Sequence, residues 1–365
     1  MEIPSIQGLA IERGLLPLEK AVAVREHQRQ LRIGVPREAV NEERRVALAP
    51  YGAGILAAAG HRVYIQRGAG EQAHFSDVEY SEAGAELLPD AAELYAECDL
   101  IAKVFPPTEE ELALMQEKQT LISALHLGGI QPDYLRRLMD LRITGIGFEF
   151  ITDTDGSLPI VRMMHEISGS IAVQVAAHCL ESTEGGRGIM RGGISGVPPS
   201  TVVILGAGVV GEWAARTALG FGAHVIILDN DLPALRQMEH YLDRRVMTAT
   251  ANEPYVRQAV QNADVVIGAM MSAGQRPPGV VTEDMVAGMK EGSVSVDVVI
   301  DQGGCIETSR PTSPSAPTFV QHGVIHYCVP NLPSVAARTA SYALTNVVVP
   351  YLLDIGESGS INDAL

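Results

Sequence analysis

The chain has 365 residues, 46% of them apolar and 19% charged, with a formal net charge of -17. That is enough apolar material for the cores of two domains at roughly 100–200 residues each. A surface this acidic repels phosphate backbones and anionic lipid, which argues against nucleic-acid and membrane partners.

The N-terminal stretch MEIPSIQGLAIERGLLPLEK carries acidic residues and no long apolar core, so it does not read as a signal peptide. No apolar run approaches the ~20 residues of a membrane helix. Cys98, Cys179, Cys305 and Cys328 are widely spaced and form no Cys-x-x-Cys pair. They read as free thiols in a reducing compartment, so a cytoplasmic location is expected.

After a polar, helix-prone lead-in to about residue 30, short apolar runs alternate with helical patterns. The runs are LRIGV, HRVYIQ, DLIAKV, TLISAL and ITGIGF, separated by stretches such as VALAPYGAGILAAAG and TEEELALMQEK. This alternation predicts a parallel sheet covered on both faces. One long helix is expected over VRMMHEISGSIAVQVAAHCLES, then a Gly- and Pro-rich loop or hairpin, TEGGRGIMRGGISGVPPS. A second strand series follows: TVVILG, AHVIILD, RVMTA, ADVVIGA, SVSVDVV and VIHYCV. A last helix covers ARTASYALTNVVVPYLLDIG, and the tail ESGSINDAL is expected to fray. The fold class is therefore α/β, with two doubly wound parallel-sheet units.

The second series opens with VVILGAGVVGEWAARTALGFGAHVIILDN, a strand, a Gly-rich turn, a helix and another strand. Gly206 permits the tight turn, Gly208 lets a pyrophosphate approach the backbone, and Gly211 lets helix pack on strand. The helix N-terminus offers free N–H groups to phosphates. Asp229 ends the next strand, where a carboxylate accepts bonds from a ribose 2′-hydroxyl and repels a 2′-phosphate. The pattern predicts NAD rather than NADP.

Ligands of open parallel sheets sit at the carboxyl ends of strands. Arg45 follows LRIGV, His126 ends TLISAL, and Asp301 ends SVSVDVVI. A cation, an imidazole and a carboxylate from both halves of the chain are expected to meet in a cleft between them. Singly, each has an ordinary structural explanation: a surface arginine, a hydrogen-bonded histidine, a turn-capping aspartate. No spacing of His, Cys or acidic residues suggests a metal site, so none is expected.

The blocks RIGVPREAVNEERRVALAP, LHLGG, GGISGVPPSTVVILGAGVVGE, SVSVDVVIDQGGCIETSRPTS and HYCVPNLPSVAARTASYALTNVVVPYLL resemble the alanine dehydrogenase/NAD(P) transhydrogenase family, and within it the alanine dehydrogenases. The resemblance covers nearly all of the chain beyond about residue 30, and the longer N-terminus suggests a divergent subgroup. It implies two Rossmann-like domains: a catalytic one from 1–159 and 334–365, and an inserted NAD domain from 160–333. The implied reaction is reversible oxidative deamination of L-alanine to pyruvate and ammonia with NAD, in a homo-hexamer. Arg45 would clamp the substrate carboxylate, His126 would exchange a proton with the substrate, and Asp301 would orient the amine or the attacking water. Gly206, Gly208, Val209, Val210, Gly211, Asp229 and Asn230 would hold NAD. Ala269, Met270, Asp301 and Asn331 would flank its nicotinamide side.

Two departures from the family pattern stand out. Where the family reads KVKEP, with its second lysine on the substrate carboxylate, this chain reads KVFPP. Phe105 takes that place, and Lys103, two residues back on the same strand face, is a candidate to reach toward the cleft. Where the family reads APMSEVAG, this chain reads RMMHEISG, so His165 is a candidate cofactor contact. Arg162 is either a substitute cation or plain helix surface. Phe105 also leaves open a dehydrogenase for another small or apolar amino acid, or a catalytically impaired NAD-binding oligomer.

Overall fold

A computed structural model describes residues 30–40, 42–126, 129, 131–153, 155–270 and 280–358. The lead-in, the end of the tail, and Leu127 and Gly128 of LHLGG lie outside the described residues.

The chain folds around two sheets. The first contains β1 (Arg32–Val35), β2 (Arg62–Gln66), β3 (Glu86–Leu88), β4 (Leu100–Ala102), β5 (Thr120–Ser123) and β6 (Thr144–Gly147), all parallel, in the order β3-β2-β1-β4-β5-β6. The second contains β7 (Thr201–Leu205), β8 (His224–Asp229), β9 (Met247–Thr250), β10 (Val265–Gly268), β11 (Val294–Asp297), β12 (Thr318–Gln321) and β13 (Val324–Tyr327). Its order is β12-β13-β11-β10-β7-β8-β9, parallel except for the edge strand β12. Each sheet reverses its winding beside its first strand, between β1 and β4 and between β7 and β10. Those reversal points open the crevices where doubly wound folds bind ligands.

Most of the expected runs became strands because their Val, Ile and Leu side chains are buried on both faces, whereas RVMTA became the half-exposed edge strand β9. The sequence reading missed β3 and β12, three- and four-residue edge strands whose half-exposed side chains carry little apolar signal. It also overran several elements. DLIAKV pairs only to Ala102, and SVSVDVV only to Asp297, so Asp301 sits in the 3-10 turn Ile300–Gln302 beyond the strand. TEEELALMQEK gives only the short helix Glu109–Leu112. Beyond it the buried Gln119 amide fixes the turn into β5, donating to the Tyr95 and Cys98 carbonyls at 2.6 and 2.8 Å and accepting from Gln116 N–H at 2.9 Å.

Two long helices tie the sheets together. The bridging helix, Pro159–Cys179, starts with Ile160 in the core of the first sheet and ends with Ile171, Ala176 and Cys179 in the core of the second. It passes so close to the helix after the Gly-rich turn that a Cβ on Gly169 would lie 2.3 Å from the Val210 carbonyl. The C-terminal helix, Ala337–Ser358, returns to the first sheet and buries Leu344, Val348 and Leu352 there. Full burial of such a side chain is worth ~1.5–3 kcal/mol. Its Ser341 and Thr345 hydroxyls accept the Val46 and Ala49 N–H groups at 2.9 and 2.8 Å, while Ser334 Oγ accepts Arg44 N–H at 3.0 Å. The segment on either side of Arg45 is thereby fastened. Among the described residues, no helix is long and apolar enough to cross a membrane.

Candidate active site

A cleft of about 1320 Å³ lies between the sheets, and Arg45, His126, Asp301 and Asn331 all line it. The first two come from loops after β1 and β5, the others from loops after β11 and β13. The cation, imidazole and carboxylate anticipated from sequence therefore share one space.

A network crosses the cleft floor. Glu43 grips Arg45 bidentately, accepting Nε at 2.8 Å and Nη2 at 2.7 Å, and also accepts the Arg45 backbone N–H at 2.9 Å. The same carboxylate accepts Asn331 Nδ2 at 2.8 Å, and Asn331 N–H in turn donates to Asp301 Oδ2 at 3.2 Å. Burial alone would raise the Glu43 carboxyl, but the Arg45 hydrogen bonds and charge more than offset it, and it titrates below its ordinary value. Asp301 goes the other way. Lost hydration pushes its carboxyl up, against the Asn331 N–H and the His126 and Arg45 charges. Only one guanidinium nitrogen of Arg45, Nη1, faces away from Glu43, 3.3 Å from Met164 Sδ.

His126 is held by its backbone. Its φ of 48° is left-handed, uncommon for a side chain with a Cβ. Glu149 fixes it there, accepting His126 N–H at 2.7 Å and Leu125 N–H at 3.0 Å. Asn331 is also left-handed, at φ 53°. Such strain persists where surrounding bonds over-determine it and clusters at functional sites. The Phe105 ring lies beside the His126 ring, with centroids 5.1 Å apart and planes tilted 35°.

Lys103 does not reach the cleft, which corrects the sequence expectation. It is fully buried, with Nζ 2.6 Å from Glu111 Oε1 and 3.5 Å from Glu38 Oε2. Glu111 uses its other oxygen to accept Thr108 N–H at 2.8 Å and cap its own short helix. Glu38 accepts Val104 N–H at 2.7 Å, just before Phe105. The buried lysine is thus paired behind β4 with Glu111 and with Glu38, whose carboxyl burial pushes up despite the nearby ammonium. Arg162 proves to be helix surface, 3.2 Å from Glu166 one turn on. His165 does line the cleft, and burial holds its imidazole below the ordinary value.

The Gly-rich turn has the shape that a dinucleotide needs. Gly206 has φ 115°, and a Cβ there would lie 2.6 Å from the Ala269 carbonyl. A Cβ on Gly211 would lie 2.0 Å from the Gly206 carbonyl, so helix and strand touch there. A Cβ on Gly208 would meet nothing within 4 Å. The first and third glycines serve the fold, and the second leaves open space at the N-terminus of the helix Val209–Gly220. Val210 reaches the cleft. Asp229 ends β8 and ties the turn together, with Oδ2 accepting Ala207 N–H at 2.6 Å and Oδ1 accepting Asp231 N–H at 2.9 Å. Asn230 beside it is exposed, and Ala269 and Met270 follow β10 on the other side of the turn.

Sequence alone assigned no functional role to Glu43, Met164 or Glu149. Glu43 could have been found, since an acidic residue two before a predicted clamp arginine has the reach to pair with it. Met164 carries no such signal.

The N-terminal domain model of the alanine dehydrogenase/PNT family matches residues 34–168, and its C-terminal domain model matches residues 172–365. The chain is 44% identical to an alanine dehydrogenase of Halomonas elongata over 90% of its own length and 88% of that protein's. It is 41% identical to one of Mycobacterium tuberculosis at the same coverage of each chain. A solved L-alanine dehydrogenase superposes with a TM-score of 0.86 at 41% identity, covering 90% of this chain and 91% of that one. A transhydrogenase from Sinorhizobium meliloti superposes with a TM-score of 0.79 at 25% identity, covering 89% and 94%. With both of its sheets and nearly all of its cleft inside these matches, the chain belongs to the alanine dehydrogenase/PNT family.

Proposed function

We propose that this chain catalyses the reversible, NAD-dependent oxidative deamination of L-alanine to pyruvate and ammonia. One observation carries the reading: Arg45, His126 and Asp301, contributed by both halves of the chain, line a single cleft. The similarity to alanine dehydrogenases supports the choice of substrate.

In this reading the Nη1 edge of Arg45, which contacts Met164 Sδ, binds the substrate carboxylate through a charge-assisted hydrogen bond. His126 moves the proton of the substrate's oxygen or nitrogen as the carbinolamine forms and collapses. Asp301, beside it, orients the amine or the attacking water. Gly206, Gly208, Val209, Val210, Gly211, Asp229 and Asn230 would hold NAD, with His165, Ala269, Met270 and Asn331 toward its nicotinamide. The open space over Gly208 and the glycine contacts beside it fit such a ligand. When bound, NAD supplies the hydride acceptor.

The packing of the C-terminal helix on the first sheet supports a discontinuous catalytic domain, 1–159 with 334–365, around a cofactor domain of 160–333. A homo-hexamer in the cytoplasm completes the proposal. The test is Asp301→Asn. It should keep NADH binding, read by fluorescence of the bound nucleotide, and lose about 10²–10⁴-fold in turnover. Undiminished alanine oxidation in that variant would sink the assignment.

A further inference from the structure

We propose that Phe105 determines the substrate specificity of the cleft by packing against the substrate's side chain, favouring 2-amino and 2-oxo acids with aliphatic side chains longer than a methyl group. This rests on the deamination chemistry proposed above and departs from it only in the side chain preferred, with alanine a substrate but not the best one.

The argument is by elimination around the reacting carbon. A 2-amino acid carries four groups there: the hydrogen that leaves as hydride, the amino group, the carboxylate and the side chain. The amino group belongs with His126 and Asp301. The carboxylate needs a cation, and Arg45 is the cleft cation closest to satisfying that need, with Nη1 turned from Glu43. Lys103 is committed to Glu111 and Glu38 behind β4. Phe105 stands 5.1 Å from the His126 ring, centroid to centroid, so it borders whatever His126 acts upon. An aromatic face strips water from an ion without replacing its hydrogen bonds. The group it can receive is the apolar one.

The surroundings agree. Pro106, Phe148, Ile160, Met164 and Leu344 line the same cleft with Phe105. Phe105 is only half-buried, so its ring keeps free surface inside the cleft. The methyl group of alanine covers little of such a wall, and each further methylene covers more. The β4 loop also presents the ring firmly, because Glu38 accepts the N–H groups of Val104 and Phe105 at 2.7 and 3.4 Å.

The reaction scored is 2-oxo acid plus ammonium plus NADH plus a proton, giving amino acid, NAD and water. Pyruvate, 2-oxobutanoate and 2-oxopentanoate are compared at saturating ammonium by loss of NADH absorbance. For the natural chain, kcat/KM should rise about fourfold per methylene, the ratio that corresponds to ~0.8 kcal/mol. Phe105→Lys should reverse the order and raise pyruvate turnover about tenfold or more, through a new charge-assisted bond. Phe105→Ala should flatten the series. A second readout needs no turnover: titration of the NADH-loaded protein with each acid, without ammonium, should give dissociation constants in the same order. Pyruvate as the best ligand of the natural chain, or an unchanged order in a folded Phe105→Lys protein, overturns the proposal. Absence of turnover with every acid overturns the deamination reading instead, and the titration still decides this one.

Discussion

Glu43→Gln is the sharpest test of how the cleft is held together. The substitution keeps the shape of the side chain and removes its charge. Glu43 and Arg45 have side chains only 1% and 7% exposed, at 2.7 Å, so solvent screens them little. Removing one partner of a buried pair costs about 3–5 kcal/mol, because the other charge stays buried without compensation. The new amide also turns donors toward either Arg45 or Asn331 Nδ2, which were themselves donating. Against this, Arg45 gains freedom to bind a substrate carboxylate with two nitrogens rather than one. The loss should win for stability, and the gain should appear as a lower KM in whatever fraction stays folded. Urea unfolding followed by circular dichroism should show a loss of about 3 kcal/mol at neutral pH. The folded Glu43 carboxyl is depressed, so its contribution is present above the unfolded-chain value of about 4.3 and is lost as pH falls through the lower folded value. The gap between variant and natural chain should therefore close in acid. A gap below about 1 kcal/mol at neutral pH, the range of exposed pairs, would refute the reasoning.

Two further substitutions separate structural from ligand-facing roles. Gly208→Ala should fold and melt like the natural chain, because its methyl meets no protein atom within 4 Å, yet lose NADH affinity in a fluorescence titration; Gly206→Ala should lose stability, with φ 115° and the Ala269 carbonyl 2.6 Å away. Lys103→Met should cost about 3–5 kcal/mol by leaving Glu38 and Glu111 uncompensated, while KM for the oxo acid barely moves in the folded enzyme. A large KM change at preserved stability would return Lys103 to the substrate site.

The fold was legible because parallel strands buried on both faces announce themselves as short runs of Val, Ile and Leu, and because the Gly-rich turn needs three glycines for three different reasons. Edge strands such as β12 bury less and so were silent. The gathering of Arg45, His126 and Asp301 was legible from their places after strands, even though Asp301 lies beyond its strand rather than at its end. What stayed hidden was direction. Strand alternation would put Lys103 and Phe105 on one face, but the alternation carries only through Val104, and Phe105 packs on the side of Leu100, Ala102 and Val104 while Lys103 turns to Glu111. The Lys103 ammonium followed the two buried carboxylates, Glu38 and Glu111, that sequence distance did not connect to it. Bonds between a side chain and a distant backbone, such as Glu149 with His126 N–H, leave no periodic trace at all.

The charges of the cleft lead to a final expectation. Arg45 offers a substrate carboxylate only its Nη1 edge beside Glu43, and Lys103 is spent elsewhere, so an entering 2-oxo acid brings toward Asp301 and Glu149 a negative charge that the clamp only partly offsets. The Asp301 carboxyl is already raised, by burial first and despite the Asn331 N–H, His126 and Arg45. A second anion nearby disfavours its charged form further. Protonating Asp301 removes that repulsion, so oxo-acid binding should be strongest below the folded Asp301 value and should weaken as pH rises through it. The linked stability has the same sign: a raised carboxyl favours the folded chain at low pH and forfeits that advantage as it ionises. Titrating the NADH-loaded protein with oxo acid across the acidic to neutral range reads the effect directly. Asp301→Asn should flatten this dependence, because an amide is neutral throughout. A dependence that survives the substitution would assign the proton to another group and leave Asp301 with orientation alone.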